Sequence, residues 1–90
     1  MRIIQKTSFR KDVKKLHPNQ KRDLDAAIEI IIKDPAQGVR KTGDLTGFSV
    51  YKFRMVNQLT LLAYTFDGEA ITLTLLAFGS HENFYRNLKK

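Results

Sequence analysis

The chain has 90 residues and a mass of 10.4 kDa, the size of one small domain, so we expect a single domain over residues 1–90 and exclude an enzyme with two lobes. It contains no cysteine, which excludes disulfides, thiolate nucleophiles and cysteine metal ligands. Its formal net charge is +7, and residues 1–22 alone have an excess of that size, because eight basic side chains stand there against Asp12.

The basic segment at residues 1–22 has two interpretations. RNA, DNA or an acidic protein is the natural complement of such a charge excess. A solvated helix surface that keeps the protein soluble has the same composition. Charge alone favours neither interpretation.

The apolar stretches of the sequence are short. The longest, at residues 59–66 and 71–78, fall well short of the roughly 20 apolar residues that a membrane helix needs. Near the N-terminus only Ile3 and Ile4 precede polar Gln5, too few for the apolar segment of a secretory signal. We therefore expect a cytoplasmic protein that does not interact with membranes.

The first third of the sequence predicts a short strand and two helices. Residues 2–5 form the strand, and Thr7 or Ser8 caps the first helix. The apolar stripe of that helix consists of Phe9, Val13 and Leu16. The helix ends at His17, since proline pushes the residue before it out of the helical region.

The second helix is predicted to begin after Asn19 as its cap and to end before Pro35. Its apolar residues follow the i, i+3, i+4, i+7 spacing: Leu24, Ala27, Ile28 and Ile31. Because each helix has one apolar stripe, both helices are expected to pack on the same sheet.

The rest of the sequence predicts a loop, a meander of three antiparallel strands and a short final helix. Residues 36–47 form the loop, because they contain three glycines and little periodicity. The strands cover residues 48–55, 59–66 and 70–78, with a tight hairpin at Asp67-Gly68. The element order is therefore β-α-α-β-β-β-α, and the fold class is α+β.

Two places in these elements hold side chains suited to chemistry. Alternation in the first meander strand puts Lys52 and Arg54 on one face, opposite Tyr51, Phe53 and Met55. In the final helix, His81 and Tyr85 lie one turn apart, and Phe84 and Leu88 lie one turn apart on another face.

These four polar residues suit RNA cleavage without a metal or a cofactor. The reaction needs a base for the ribose 2′-OH, positive charge for the phosphorane and an acid for the leaving oxygen, and cations with a histidine can supply all three. Each residue also has a structural interpretation. His81 can cap the last helix, Tyr85 can lie at the rim of the core, and Lys52 and Arg54 can be ordinary solvated charges.

Three segments of the sequence carry a family resemblance. They are Gly-Asp-Leu-Thr-Gly-Phe at residues 43–48, Val-Tyr-Lys-Phe-Arg at residues 50–54, and Leu-Leu-Ala-Phe-Gly-Ser-His at residues 75–81 with Tyr85 four residues later. With the order of elements, they resemble the RelE/ParE superfamily of bacterial toxins from type II toxin-antitoxin systems. The closing Gly-Ser-His-x-x-x-aromatic pattern is similar to the ending of YafQ-type members, in which the histidine and the aromatic residue are implicated in cleaving mRNA on the ribosome.

The resemblance covers the whole chain and implies a RelE-like fold, with a twisted, mainly antiparallel sheet, two N-terminal helices and a short C-terminal helix. It implies a toxin that enters the ribosomal A site and cuts mRNA there, with the 2′-OH as nucleophile. By position, His81 would be general acid or base, Tyr85 would orient or stack the nucleotide, and Lys52 and Arg54 would bind phosphate. The RNA-binding cations would be Lys11, Lys14, Lys15, Arg40 and Lys41.

The implied partners are a cognate antitoxin, the ribosome and mRNA, and operator DNA only through the antitoxin complex. An acidic or amphipathic antitoxin would wrap the toxin and block its active surface.

The sequence departs from the RelE pattern at two places. RelE-type nucleases usually have an arginine in the middle strand of the meander, where this chain has Leu-Thr-Leu-Leu-Ala at residues 59–63. Many have another arginine near the end of the last strand, where this chain has Ala77 and Phe78. Losing one such contact costs about a hundredfold in rate.

Three hypotheses follow from these departures. The first is a ribosome-dependent endoribonuclease, slow or assisted by Arg40 or Lys41. The second is a non-enzymatic ParE-like toxin that binds DNA gyrase. The third is a degenerate member that binds only its antitoxin and operator DNA.

Overall fold

The computed structural model of the protein describes residues 1–41 and 47–88. The elements in chain order are β1 (Arg2–Gln5), α1 (Thr7–Val13), α2 (Pro18–Lys33), a 3-10 turn (Pro35–Gln37), β2 (Val39–Arg40), β3 (Ser49–Met55), β4 (Gln58–Asp67), β5 (Thr72–Ser80) and α3 (Phe84–Leu88). The α+β class and the predicted order of elements are confirmed. No helix in the described residues is long and apolar enough to cross a membrane.

The strands form one five-stranded sheet in the order β1-β5-β4-β3-β2. β1 is parallel to β5, and every other neighbouring pair is antiparallel, so the predicted meander and the mainly antiparallel sheet are confirmed. The loop predicted at residues 36–47 is partly wrong, because a 3-10 turn and β2 occupy residues 35–40. Residues 42–46 lie outside the described residues, as does most of the segment at 43–48 that carried part of the resemblance.

Both helices begin earlier than predicted. Lys6 and His17 occupy the cap positions that we assigned to Thr7 or Ser8 and to Asn19. Proline is favoured at the first helical position because its fixed φ suits the helix and its missing N–H needs no partner there. Pro18 therefore makes the extended residue His17 the cap, and the His17 backbone N–H donates to Gln20 Oε1 at 2.9 Å.

The turn between β4 and β5 is wider than the predicted tight hairpin. β4 ends at Asp67 and β5 begins at Thr72, so residues 68–71 separate the two strands. The Asp67 carboxylate accepts hydrogen bonds from the backbone N–H groups of Glu69 and Ala70, at 3.0 and 3.3 Å. Asp67 thus satisfies two amides that a two-residue turn would not contain.

The sheet is covered differently on its two faces. We call the face that α1 and α2 cover the two-helix face, and the opposite face the α3 face. The buried core of the two-helix face consists of Phe9, Leu24, Ala27, Ile31, Met55, Leu62, Tyr64, Leu73, Leu75 and Phe78. The buried core of the α3 face consists of Phe48, Val50, Leu61, Ala63 and Phe84. The prediction that both N-terminal helices pack on one side of the sheet is confirmed.

A β-bulge in β5 sets which of its residues lie on which face. Ala77 pairs with Ala63, and Leu75 pairs with Tyr64, so Leu76 has no partner in β4. One extra residue reverses the alternation of a strand beyond that point. As a result Gly79 lies opposite Leu61, on the α3 face. Without the bulge, alternation from Leu75 would put Gly79 on the two-helix face.

Tyr64 joins the loop after α2 to the centre of the sheet. Its side chain is fully buried, and its hydroxyl donates to the carbonyl of Pro35 and accepts from the N–H of Gly38 at 2.9 Å. A Cβ atom at Gly38 would lie 2.5 Å from the Tyr64 hydroxyl oxygen, so only glycine allows this approach. Burial raises the pKa of Tyr64 above 10.0, and the Asp34 charge adds to the shift, while hydrogen bonds with Gly38 and Ser49 oppose it.

We expect Tyr64→Phe to lower the free energy of unfolding near pH 8 by about 1–3 kcal/mol, because it leaves two partly buried backbone groups, the Pro35 carbonyl and the Gly38 N–H, without the tyrosine hydroxyl. The difference from wild type should narrow as the pH rises above 10.0, the ordinary tyrosine value, since the unfolded wild-type tyrosine then ionises before the folded one. Urea unfolding at several pH values between 8 and 11 tests this. A constant difference across that range would contradict the raised pKa.

The hairpin between β3 and β4 has a two-residue turn with an unusual residue in it. Val56 has φ 50° and Asn57 has φ 68°, the left-handed values that a type I′ turn requires at both central positions. Asparagine tolerates this region, whereas a β-branched residue is strained there by about 1–2 kcal/mol. Val56 is also exposed and gains little from packing.

We expect Val56→Asn to stabilise the protein by about 1 kcal/mol, because asparagine relieves the left-handed strain. Urea unfolding measures the change. The matched control is Val39→Asn, at an exposed valine in the extended backbone of β2, which should be neutral or slightly destabilising. Equal effects of the two substitutions would contradict the assignment of strain to Val56.

Candidate functional site

Lys52 and Arg54 lie on the α3 face of β3, and both are exposed. The residues that alternate with them, Tyr51 and Phe53, pack against the core of the two-helix face, and their rings stack with centroids 6.2 Å apart. Because successive side chains of a strand point to opposite faces, this burial fixes the direction of the two cations. The predicted alternation of β3 is confirmed.

The register of the sheet relates these cations to the end of β5. Lys52 lies opposite Leu61, and Leu61 lies opposite Gly79. The two cations are therefore two strands away from β5, a backbone separation of roughly 10 Å that long side chains can partly cross. Arg54 lies nearer the end of the sheet where β5 finishes, since its partner Leu59 precedes the residue that pairs with Ser80.

His81 follows β5 directly, but it does not lie on the last helix. α3 begins only at Phe84, and the intervening turn is closed by a hydrogen bond of 3.0 Å from Asn83 N–H to the carbonyl of Ser80. The prediction that His81 and Tyr85 are one helical turn apart is therefore wrong. The structure still brings the exposed His81 to the same end of the sheet as Arg54.

Tyr85 lies beside the core without being part of it. Phe84 is fully buried on the α3 face, and Leu88 packs against the same cluster, which confirms that these two residues share a buried side of α3. Tyr85 is 38% exposed, and its ring meets that of Phe84 edge to face with centroids 5.0 Å apart. One side of the Tyr85 ring is thus available for stacking.

The middle of the α3 face holds apolar side chains between the cations and β5. β4 contains no lysine or arginine, and Leu61, which separates Lys52 from Gly79, is buried. On β5, Ala77 is buried beside Ala63 on this face, and Phe78 is buried in the core of the two-helix face. Apolar groups therefore occupy the two stretches where the RelE pattern has arginines, and the cations that β3 adds to this face are Lys52 and Arg54.

The structure does not bring the other predicted RNA-binding residues to this face. Lys11, Lys14 and Lys15 are exposed on α1 and just after it, and α1 packs on the two-helix face. Arg40 pairs with Ser49 at the other end of β3 from Arg54, roughly 17 Å along the strand. Lys41 follows it and is half-buried.

One residue that touches the hairpin tip beside Arg54, Asp23, was missed from the sequence. The Arg54 guanidinium donates to the carbonyl of Asn57 at 3.1 Å, and the N–H of Val56 donates to the carboxylate of Asp23 at 2.7 Å. Asp23 belongs to α2 and lies 33 residues before Val56 in sequence, so no local sequence pattern predicts this contact. In the described residues no group of three His, Asp or Glu side chains is placed to hold a metal ion.

A family model for ParE-like toxins of type II bacterial toxin-antitoxin systems matches residues 3–89. The chain belongs to this family. No curated protein sequence matches the chain significantly. The predicted membership of the RelE/ParE superfamily is thus confirmed for nearly the whole length of this ParE-like toxin.

Solved structures of low sequence identity share the fold of this ParE-like toxin. A chain of the toxin-antitoxin complex RelBE2 from Mycobacterium tuberculosis is 24% identical with a TM-score of 0.69, over 89% of this chain and 96% of that one. A chain of the intact Escherichia coli RelBE complex is 17% identical with a TM-score of 0.67, over 88% and 94%. The isolated E. coli RelE toxin is 17% identical with a TM-score of 0.66, over 88% and 82%. The RelE-like fold is therefore confirmed.

We expect Phe84→Ala to cost about 3–5 kcal/mol of unfolding free energy, because Phe84 fills the core of the α3 face. Tyr85→Ala should cost no more than about 1 kcal/mol, mainly through the lost ring contact. Urea unfolding of the two variants checks the assignment of one ring to the core and its neighbour to the surface. A loss at Tyr85 as large as that at Phe84 would contradict it.

Proposed function

We propose that this ParE-like toxin is a single toxin domain over residues 1–90 that cleaves mRNA on the ribosome and so inhibits translation. The observation that carries the proposal is the register of the α3 face. It places Lys52 and Arg54 two strands from the end of β5, where the exposed His81 follows directly. The two cations of β3 and a proton-transfer group therefore lie toward the same end of the sheet.

Each residue of this group has a role in the reaction. His81 is the general acid or base that moves a proton at the ribose 2′-OH or at the leaving 5′-oxygen. Lys52 and Arg54 stabilise the negative charge that grows on the phosphate oxygens. Tyr85 offers its exposed ring side to a base of the mRNA. The reaction needs no metal or cofactor in this scheme.

The second group of cations suits a different contact. Three exposed lysines lie in the layer of α1, on the two-helix side of the sheet: Lys11, Lys14 and Lys15. A protein held in the ribosomal A site has RNA on several sides, so these lysines contact ribosomal RNA while the α3 face holds the mRNA. Arg40 and Lys41 extend this contact at the β2 edge of the sheet.

Membership of the family implies a cognate antitoxin as partner, and two of the similar structures are toxin-antitoxin complexes. We propose that this antitoxin is acidic or amphipathic and covers the α3 face. We further propose that operator DNA is bound only through the antitoxin complex, and that the toxin acts in the cytoplasm.

One observation favours a second candidate, a non-enzymatic toxin that binds DNA gyrase. Leu61 is buried, and β4 adds no basic residue to the α3 face. Since each missing phosphate contact costs about a hundredfold in rate, the nuclease we propose is slow. A ParE-like toxin that acts on gyrase does not need these contacts.

The test is incubation of the purified toxin with translating bacterial ribosomes and a defined mRNA, followed by mapping of new RNA ends. We expect cleavage that requires ribosomes. His81→Ala should lower its rate at least about a hundredfold, because general acid-base catalysis contributes 10²–10⁴. Lys52→Ala should lower it by about a hundredfold.

The matched control is Lys33→Ala, which removes an exposed lysine at the end of α2, in the other layer, and should leave the rate unchanged. Full cleavage by His81→Ala would refute the catalytic role of that histidine. Intact mRNA, with growth arrest and DNA damage signalling on expression, would support gyrase as the target. Harmless overexpression would identify a degenerate member.

A further inference from the structure

The tip of the β3–β4 hairpin is held from both sides of the sheet. On the side of α2, the Asp23 carboxylate accepts a hydrogen bond of 2.7 Å from the N–H of Val56. At the tip itself, the carbonyl of Asn57 accepts a hydrogen bond of 3.1 Å from the Arg54 guanidinium. Val56 and Asn57 are consecutive, so the contact between Asp23 and Val56 affects where the Asn57 carbonyl lies, and that carbonyl binds Arg54.

Asp23 is well placed to fix this turn, because its helix is anchored. The next residue, Leu24, is fully buried in the core of the two-helix face, and Ile31 fixes the same helix two turns further on. Asp23 itself is half-buried, and its bond to Val56 N–H is charge-assisted, which makes it stronger than a neutral hydrogen bond. This hydrogen bond keeps Val56 in its left-handed conformation, which a strained valine would otherwise tend to leave.

The two cations of the α3 face differ in how they are held. Arg54 is bound by the turn carbonyl, whereas the side chain of Lys52 has no hydrogen bond or ion pair with any residue in the described ranges 1–41 and 47–88. An arginine held at one guanidinium nitrogen still has its remaining N–H groups free for a phosphate. Its orientation is then set before the RNA arrives, which lowers the entropy lost on binding.

We propose that Asp23 is a positioning residue. By fixing the Val56–Asn57 turn, it makes the Asn57 carbonyl hold Arg54 in the orientation that meets the phosphate beside His81. The effect of Asp23 on the cleavage rate rests on the proposed nuclease function. The coupling between Asp23 and Arg54 does not, because it can be measured in the protein without RNA. The two parts can therefore be tested separately.

The first experiment measures the coupling without any reaction. The order parameter of the Arg54 Nε–Hε group from ¹⁵N relaxation reports how firmly the side chain is held. We expect it to fall clearly in Asp23→Ala and to stay near the wild-type value in Asp23→Asn, whose amide oxygen still accepts from Val56 N–H. The matched control is Asp25→Ala, which removes the same charge from α2 but only breaks a surface pair of 2.9 Å with Lys21.

The second experiment is a double-mutant cycle on ribosome-dependent cleavage. We expect Asp23→Ala alone to lower kcat/KM roughly tenfold, a part of the hundredfold that a whole phosphate contact contributes. Asp23→Ala should cause no further loss of kcat/KM in the Arg54→Ala background. In the Lys52→Ala background it should cause the same tenfold loss. Asp23→Asn should restore most of the rate, and Asp25→Ala should leave it unchanged.

The outcomes separate the two ideas. An unchanged Arg54 order parameter in folded Asp23→Ala overturns the positioning role, whatever the activity. Equal rate losses in the Arg54→Ala and Lys52→Ala backgrounds overturn it too, because Asp23 would then act through general stability. If the order parameter falls as expected but wild-type toxin leaves mRNA intact, the coupling stands and the proposed function fails.

Discussion

The structure depends on a central strand that is buried on both of its faces. From Thr60 to Tyr64, five consecutive residues of β4 are buried. Leu62 and Tyr64 face α1 and α2, whereas Leu61 and Ala63 face α3. A sheet buried on both sides needs apolar residues throughout its middle strand, so an unpaired cation there would carry a large desolvation cost.

This constraint determines where charge can lie near the candidate site. Phe84 fills the core of the α3 face, whereas Lys52 and Arg54 on β3 remain exposed. His81 reaches the same end of the sheet as Arg54 because β5 runs antiparallel to β4 and finishes opposite Thr60, next to the residue that pairs with Arg54. The chain thus combines the RelE-like fold with a sparser set of cations than the RelE pattern has, which is why we propose a slow nuclease. The hairpin tip then matters more, since it holds Arg54, one of the two cations that β3 places on that face.

Much of the fold was predictable because local patterns follow from burial. The period-2 alternation of β3 predicted both the direction of Lys52 and Arg54 and the packing of Tyr51 and Phe53, and the structure confirms it. The helix starts were less predictable, since Thr7, Ser8 and Asn19 are all good caps in isolation. Pro18 decided the second start through its own geometry. The same applies to the turn at Asp67, whose carboxylate serves a longer loop than the dipeptide Asp-Gly suggests.

The sequence by itself determined the α+β class, the order of the elements, the family and the identity of the polar residues near the end of β5. These follow from periodicity, composition and short motifs, which are local properties of the chain. Only the tertiary structure decided that His81 lies outside the last helix, that the lysines of α1 lie in the layer opposite Lys52, and that Asp23 holds the turn beside Arg54. The turn that keeps His81 out of α3 is closed locally by Asn83 and Ser80, whereas the other two findings depend on contacts between residues far apart in sequence. Such contacts are set by the packing of the whole sheet and leave no local pattern in the sequence.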